Sequence, residues 1–142
     1  MGVVSGEWQD REQIRELYAR YSITLDSGDF AEWLDCFTDD AVLTSPRFGN
    51  FSGRANLRSF VARYKESLGG ARVMHVNSNL SFALDGEHGR GGCYFTFFHC
   101  KDGRLTLAAI GHYRDRFHCG NSIWRFENRE VFLDARPPTA SV

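Results

Sequence analysis

The stretch RVMHVNSNLSFALDGEHGRGGCYFTFFHC (residues 72–100) decides the fold class. From Arg72 onward apolar side chains recur at every second position, the period of an extended chain. Asp85-Gly86 interrupts the pattern, and similar breaks return at Asp102-Gly103 and Gly120-Asn121. Such pairs favour the tight turns of hairpins. The spacing predicts long strands over roughly 72–84, 91–100, 104–118 and 122–134. Connections this short make them antiparallel neighbours in one curved sheet.

Upstream of this stretch the period is helical. Residues 7–27 place Ile14, Leu17, Tyr18, Tyr21 and Leu25 three and four apart, and Ser27-Gly28 ends the pattern. Asp29 suits the N-cap of a short second helix reaching Phe37, with Phe30, Trp33, Leu34 and Phe37 on one side. A short strand is expected at Ala41–Thr44, then a turn around Pro46 and Gly49. A third helix over about 55–68 carries Leu57, Phe60, Val61 and Tyr64, and Gly69-Gly70 closes it. The expectation is an α+β chain forming one domain over 1–142, with 1–6 and 136–142 loose. Three helices on a strongly curved antiparallel sheet make a cone that encloses a pocket.

The composition excludes several function classes. A chain of 142 residues can bury a core without staples, and its 14% aromatic content, with twelve Phe, must line a core, cavity or interface. The net charge of -1 gives no electrostatic case for nucleic acid or an anionic membrane. No apolar run approaches a bilayer span, and MGVVSGEWQD lacks a basic-then-apolar leader pattern, so a cytoplasmic protein is expected. Cys36, Cys93, Cys100 and Cys119 form no CxxC pair and read as free thiols in the core, not as a metal site.

Candidate chemistry gathers around His75. Along its strand the alternation predicts that Met74, Val76, Leu80, Phe82 and Leu84 face a packed layer. His75, Asn77 and Asn79 then form a polar row on the other face, turned either to water or to a wet cavity. Asp26 stands at the negative end of the first helix dipole, either as a surface turn residue or held there to pair with a cation. Tyr21 lies five residues earlier, about 140° around the helix, so both reach one cavity only if it wraps the helix end. His112 is either a second pocket histidine or an outer-face residue. Arg114, Asp115 and Arg116, like Arg129 and Glu130, read as surface charges in cross-strand pairs, and His88, His99 and His118 as surface residues. There is no GxGxxG, P-loop, HExxH or GxSxG motif.

Five segments together carry a resemblance: RYSITLDSGDFAEWLDCFTDDAVL (20–43), FSGRANLRSF (51–60), HVNSN (75–79), GHYRDRF (111–117) and WRFENREVFLD (124–134). In order and spacing, over about 10–134, they resemble the SnoaL-like branch of the NTF2-like superfamily, with its scytalone-dehydratase-like and bile-acid-dehydratase-like enzymes. The resemblance implies that Asp26 orients His75, that Tyr21 hydrogen-bonds the substrate, and that Asn79, His112, Tyr18 and Trp33 bind it. It implies a cofactor-independent dehydratase, isomerase or cyclase, metal-free, acting on a flat apolar hydroxylated carbonyl compound such as a polyketide, steroid or aromatic precursor. A homo-oligomer, dimer or trimer, is expected through the convex side of the sheet. The rival readings are a β-type subunit of a ring-hydroxylating dioxygenase, which the segments FAEWLDCFTDDAV and REVFLD also resemble, and a small-molecule binding module.

Overall fold

The computed structural model describes residues 2–138, with side chains from Glu7 onward. Helix α1 (Gly2–Ser27) begins earlier than the periodicity predicts. It buries Ile14, Leu17, Tyr18, Tyr21 and Leu25 on one stripe. Gly28 ends it in the left-handed region at φ 83°, its N–H donating to the Thr24 carbonyl at 3.0 Å. Asp29 caps α2 (Phe30–Asp35) by accepting from the Glu32 N–H. That helix stops two residues short of the expected Phe37, which opens strand β1 (Phe37–Ser45) instead.

Strand β2 (Gly49–Ser52), where only a turn was expected, folds back on β1. Helix α3 (Gly53–Ser67) follows, burying Leu57, Phe60, Val61 and Tyr64. The long strands are β3 (Arg72–Asp85), β4 (His88–Lys101), β5 (Arg104–Gly120) and β6 (Ile123–Ala135). The sheet runs in the order β2-β1-β6-β5-β4-β3. The four long strands are antiparallel as expected, but β1 joins β6 in parallel, so the sheet is mixed. The long connection from β1 to β6, which includes helix α3, allows this, because parallel neighbours need a crossover rather than a tight turn.

Bulges bend the sheet into a cone. In β3 the register slips between Ser78 and Ser81, where Asn79 takes a left-handed φ of 56°. Single alternation along this strand therefore fails. Val73, His75 and Asn77 turn inward before the bulge, and Leu80, Phe82 and Leu84 after it, while Met74 and Val76 are 54% and 43% exposed. The extra residue shifts the side-chain period by one. Gly111, opposite Phe95, makes the bend possible where strands crowd. A Cβ there would meet the Phe132 carbonyl oxygen at 2.1 Å and the Phe95 ring at 2.4 Å.

The core lies between the helices and the concave face, dense in rings. Trp33 packs on Phe37 with centroids 4.8 Å apart and stacks on Phe60 at 5.5 Å. Rings of this size, fully buried, contribute about 1.5–3 kcal/mol each. Cys36 and Cys93 are buried, Cys100 and Cys119 half-buried, and all four are free thiols. No helix among the described residues is long and apolar enough to cross a membrane.

Candidate active site

Helix α1 ends where strand β3 begins its inward row, and this junction joins two of the predicted residues. The backbone N–H of His75 donates to Asp26 Oδ2 at 2.8 Å, and the ring Nδ1 meets Oδ1 at 2.6 Å. An ionised carboxylate only accepts, so Nδ1 carries the proton. The other ring nitrogen, Nε2, has no partner among the described residues. Two bonds to one carboxylate fix both the strand and the ring. Asn77, one inward step along β3, donates to the Tyr18 carbonyl at 3.2 Å and to Ser22 Oγ at 3.0 Å, tying the strand to the same helix.

His75 lines a cavity of about 130 Å³. Its walls are aromatic and aliphatic: Tyr21, Phe60, Tyr64, Phe95, Phe97 and Tyr113 among them, with Arg47 and Arg136 also on the lining. The Phe97 ring lies 4.5 Å from the His75 ring, centroid to centroid. Asp26 does not line this cavity; it stands behind His75, in a groove between α1 and β3. Three tyrosines therefore present phenol rings to one apolar space. Burial pushes the Tyr21 hydroxyl up to about 12, against the opposing pull of Arg129. Burial, then the charge of Asp26, raises Tyr64 further. Both stay protonated through the neutral range and act as hydrogen-bond donors. The Tyr64 hydroxyl is buried with no partner among the described residues, a donor without an acceptor.

The other predicted site residues lie elsewhere. Asn79 occupies the exposed bulge, since its left-handed backbone carries its side chain out of the inward row. His112 faces outward, bonded through Nδ1 to Asp134 at 2.6 Å and stacked on Phe132 at 4.6 Å. It shares that side of β5 with exposed Ile110. Trp33 is fully buried one layer beneath the cavity, packed against Tyr21 and Phe60, with Nε1 unpartnered. Tyr18 points away from the cavity, donating its hydroxyl to Asp115 Oδ2 at 2.6 Å.

That last bond leads to a pair the sequence reading placed on the surface. Asp115 and Arg129 have side chains with 0% exposure and meet at 3.0 Å from Nε to Oδ1, with a second contact at 3.3 Å. The Arg129 guanidinium lies 3.5 Å from the Tyr113 ring centroid and 4.1 Å from that of Tyr21. Burial alone would pull Arg129 down, but the Asp115 carboxylate beside it more than reverses this, so the guanidinium stays charged. Burial pushes the Asp115 carboxyl up while Arg129 and Tyr18 hold it down. The signal was present for Asp115, which shares alternation with Tyr113 and Phe117, both buried. For Arg129 it was hidden, because the β5–β6 register slips between Phe126 and Asn128. Tyr64 was legible only as part of a helical stripe.

Among the described residues no group of three or more His, Cys, Asp or Glu is placed to hold a metal ion.

A comparison with curated proteins returns no match. Solved structures share the fold. An NTF2-like protein with a cystatin-like fold from Novosphingobium aromaticivorans gives a TM-score of 0.86, with 24% identity over 98% of this chain and 91% of that one. A protein assigned as a scytalone dehydratase from the same organism gives 0.79, with 19% identity over 94% and 90%. A hexachlorocyclohexane dehydrochlorinase, LinA type 2, gives 0.81, with 16% identity over 96% and 93%. At these identities the likeness is one of fold. The SnoaL-like domain family, in contrast, matches residues 6–130 directly, and the chain belongs to that family.

Proposed function

We propose that the protein is a cofactor-independent acid/base enzyme that eliminates water from a hydroxylated carbonyl compound bearing an apolar ring. One observation carries the reading: Asp26 grips His75 at both its backbone N–H and Nδ1, leaving Nε2 unpartnered beside an aromatic cavity. Nε2 takes the proton from the carbon next to the carbonyl, and Asp26 stabilises the imidazolium that forms. The Tyr21 and Tyr64 hydroxyls donate to the enolate oxygen. The enolate collapses to the unsaturated carbonyl as the β-hydroxyl leaves, and His75 returns its proton to that oxygen, releasing water. Without a leaving group the proton goes back to a different carbon, and the product is an isomer.

Two relatives of the fold support elimination by the names they carry, one a dehydratase and one a dehydrochlorinase. Cavity size narrows the substrate. About 130 Å³ is close to the roughly 150 Å³ cavity that takes one benzene. One ring fits this space better than a steroid does.

The test is proton exchange. β-Hydroxy ketones with one aromatic ring are incubated with the enzyme in deuterated water, and deuterium at the α-carbon and unsaturated product are followed. The wild type exchanges and dehydrates; His75→Ala loses about 100- to 10,000-fold in both. Unchanged turnover in His75→Ala sinks the mechanism, and tight binding without exchange in the wild type makes the protein a binding module. Self-association belongs to the same reading. Met74 and Val76 on β3 and Leu107 and Ile110 on β5 are exposed apolar side chains aligned across Phe98 and Thr96 of β4, a face that a second copy would cover. Light scattering of the wild type against Ile110→Lys tests it, and a monomer in both refutes it.

A further inference from the structure

The cavity beside His75 is apolar within and positive among its charged lining. Among the described residues only Arg47 and Arg136 bring a permanent charge to its lining, and no carboxylate stands with them. Arg47 comes from the turn between β1 and β2, its guanidinium 5.1 Å from the Phe48 ring centroid. Arg136 follows the last residue of β6. Neither makes an ion pair among the described residues. The charge of Arg47 reaches the cavity wall, since it opposes the upward shift of Tyr64 and helps push His99 below its ordinary range. The chain as a whole balances 17 Lys and Arg against 18 Asp and Glu, so two unpaired cations at one cavity are a local arrangement.

Size then decides what meets them. A space of about 130 Å³ takes about one aromatic ring. Both arginines are exposed, so they stand on the solvent side of that space. Whatever else the molecule carries must extend outward past them. A neutral polar tail would gain little there. An anion would gain charge-assisted bonds from guanidinium groups shaped to grip carboxylate or phosphate oxygens.

We propose that the molecule bound here carries an anionic group that docks at Arg47 and Arg136, with its apolar ring against Phe95 and Phe97. The inference rests on the acid/base reading only in taking this cavity as the substrate site. The anion is either a carboxylate on the substrate itself or a phosphate on a carrier to which the substrate is joined as a thioester.

The test is binding, independent of turnover. 3-Phenylpropionate, its neutral amide and its coenzyme A thioester are titrated into the full chain by calorimetry. The wild type is compared with Arg47→Gln/Arg136→Gln and with His75→Ala. Both arginines are exposed, so an unchanged Tm confirms that the double variant is folded. The proposal expects the acid or the thioester to bind at least tenfold tighter than the amide. That preference falls below about threefold in the double variant and persists in His75→Ala. If the acid carries the preference, the anion is a carboxylate; if only the thioester does, it is a phosphate. Equal affinity of all three for the wild type, no binding by any, or a preference that survives loss of both arginines overturns the proposal. Loss of turnover in His75→Ala with anion preference retained would uphold both readings. Retained turnover there would remove the mechanism and leave the anion site standing.

Discussion

Two carboxylates in this molecule each hold a base, and their surroundings make them different devices. Asp26 meets His75 where α1 gives way to β3, with side chains 15% and 9% exposed. Asp115 meets Arg129 with both at 0%, among tyrosine and phenylalanine rings. An imidazole can gain and lose a proton, and one nitrogen of this ring has no partner among the described residues. The guanidinium cannot, and the Asp115 carboxylate strengthens its hold on the proton. One couple can do chemistry. The other holds β5, β6 and α1 in register and supports the tyrosines at the back of the cavity.

The sharpest way to break this contrast is Arg129→Met. It leaves Asp115 buried and uncompensated, and stability in urea should fall by about 3–5 kcal/mol. A loss under about 1 kcal/mol would mean the buried pair is not structural. Next comes a matched exchange of readouts. Tyr18→Phe removes a donor to the buried carboxylate and should cost about 1.5–3 kcal/mol of stability with turnover nearly unchanged. Asp26→Asn should weigh the other way, lowering turnover roughly ten- to hundredfold while its amide oxygen keeps one of the two bonds and stability falls by about 1 kcal/mol. If both variants lower both quantities alike, the two couples act as one network.

The smallest effect concerns a base with no carboxylate partner. Burial, then Arg47, holds His99 below its ordinary range, and its buried Nε2 has no partner among the described residues. The unfolded chain takes up this proton near about pH 6.5, the folded chain only at lower pH. Between those values the unfolded state binds more protons, so stability falls as pH drops below about 6.5. His99→Gln should shrink the drop in Tm between about pH 7.5 and about pH 5.5 by roughly one or two degrees. An identical drop in both would show that His99 takes no part.

What the sequence disclosed follows from how far each signal reaches. The three helices were legible because Leu17, Tyr21 and Leu25, or Leu57, Phe60 and Tyr64, declare a face within one or two turns. The long strands were legible from alternation and turn pairs. Strand β2 was not, since GNFS holds a single buried side chain and gains its place only by pairing with β1. The parallel β1–β6 contact joins residues far apart in the chain, and no local pattern encodes it. In the candidate site the resemblance pointed to Asp26, His75 and Tyr21, which the fold does bring to one corner. It also pointed to Asn79 and His112, which a bulge and strand parity turn away. Arg114-Asp115-Arg116 looked like solvated charge because its neighbours are, although alternation puts the middle residue indoors.

The bulge at Asn79 has an evolutionary reading. An unbroken strand is a single inheritance: insert or delete one residue, and every side chain beyond it changes face. Here the insertion is already present, between a polar half that meets α1 at Asp26 and Tyr18 and an apolar half of plain packing. Substitutions at Leu80, Phe82 or Leu84 can then accumulate, and the strand's far end can lengthen or shorten, without re-aiming His75. Descendants of this chain are free to vary that end of the cone while the histidine's address stays fixed.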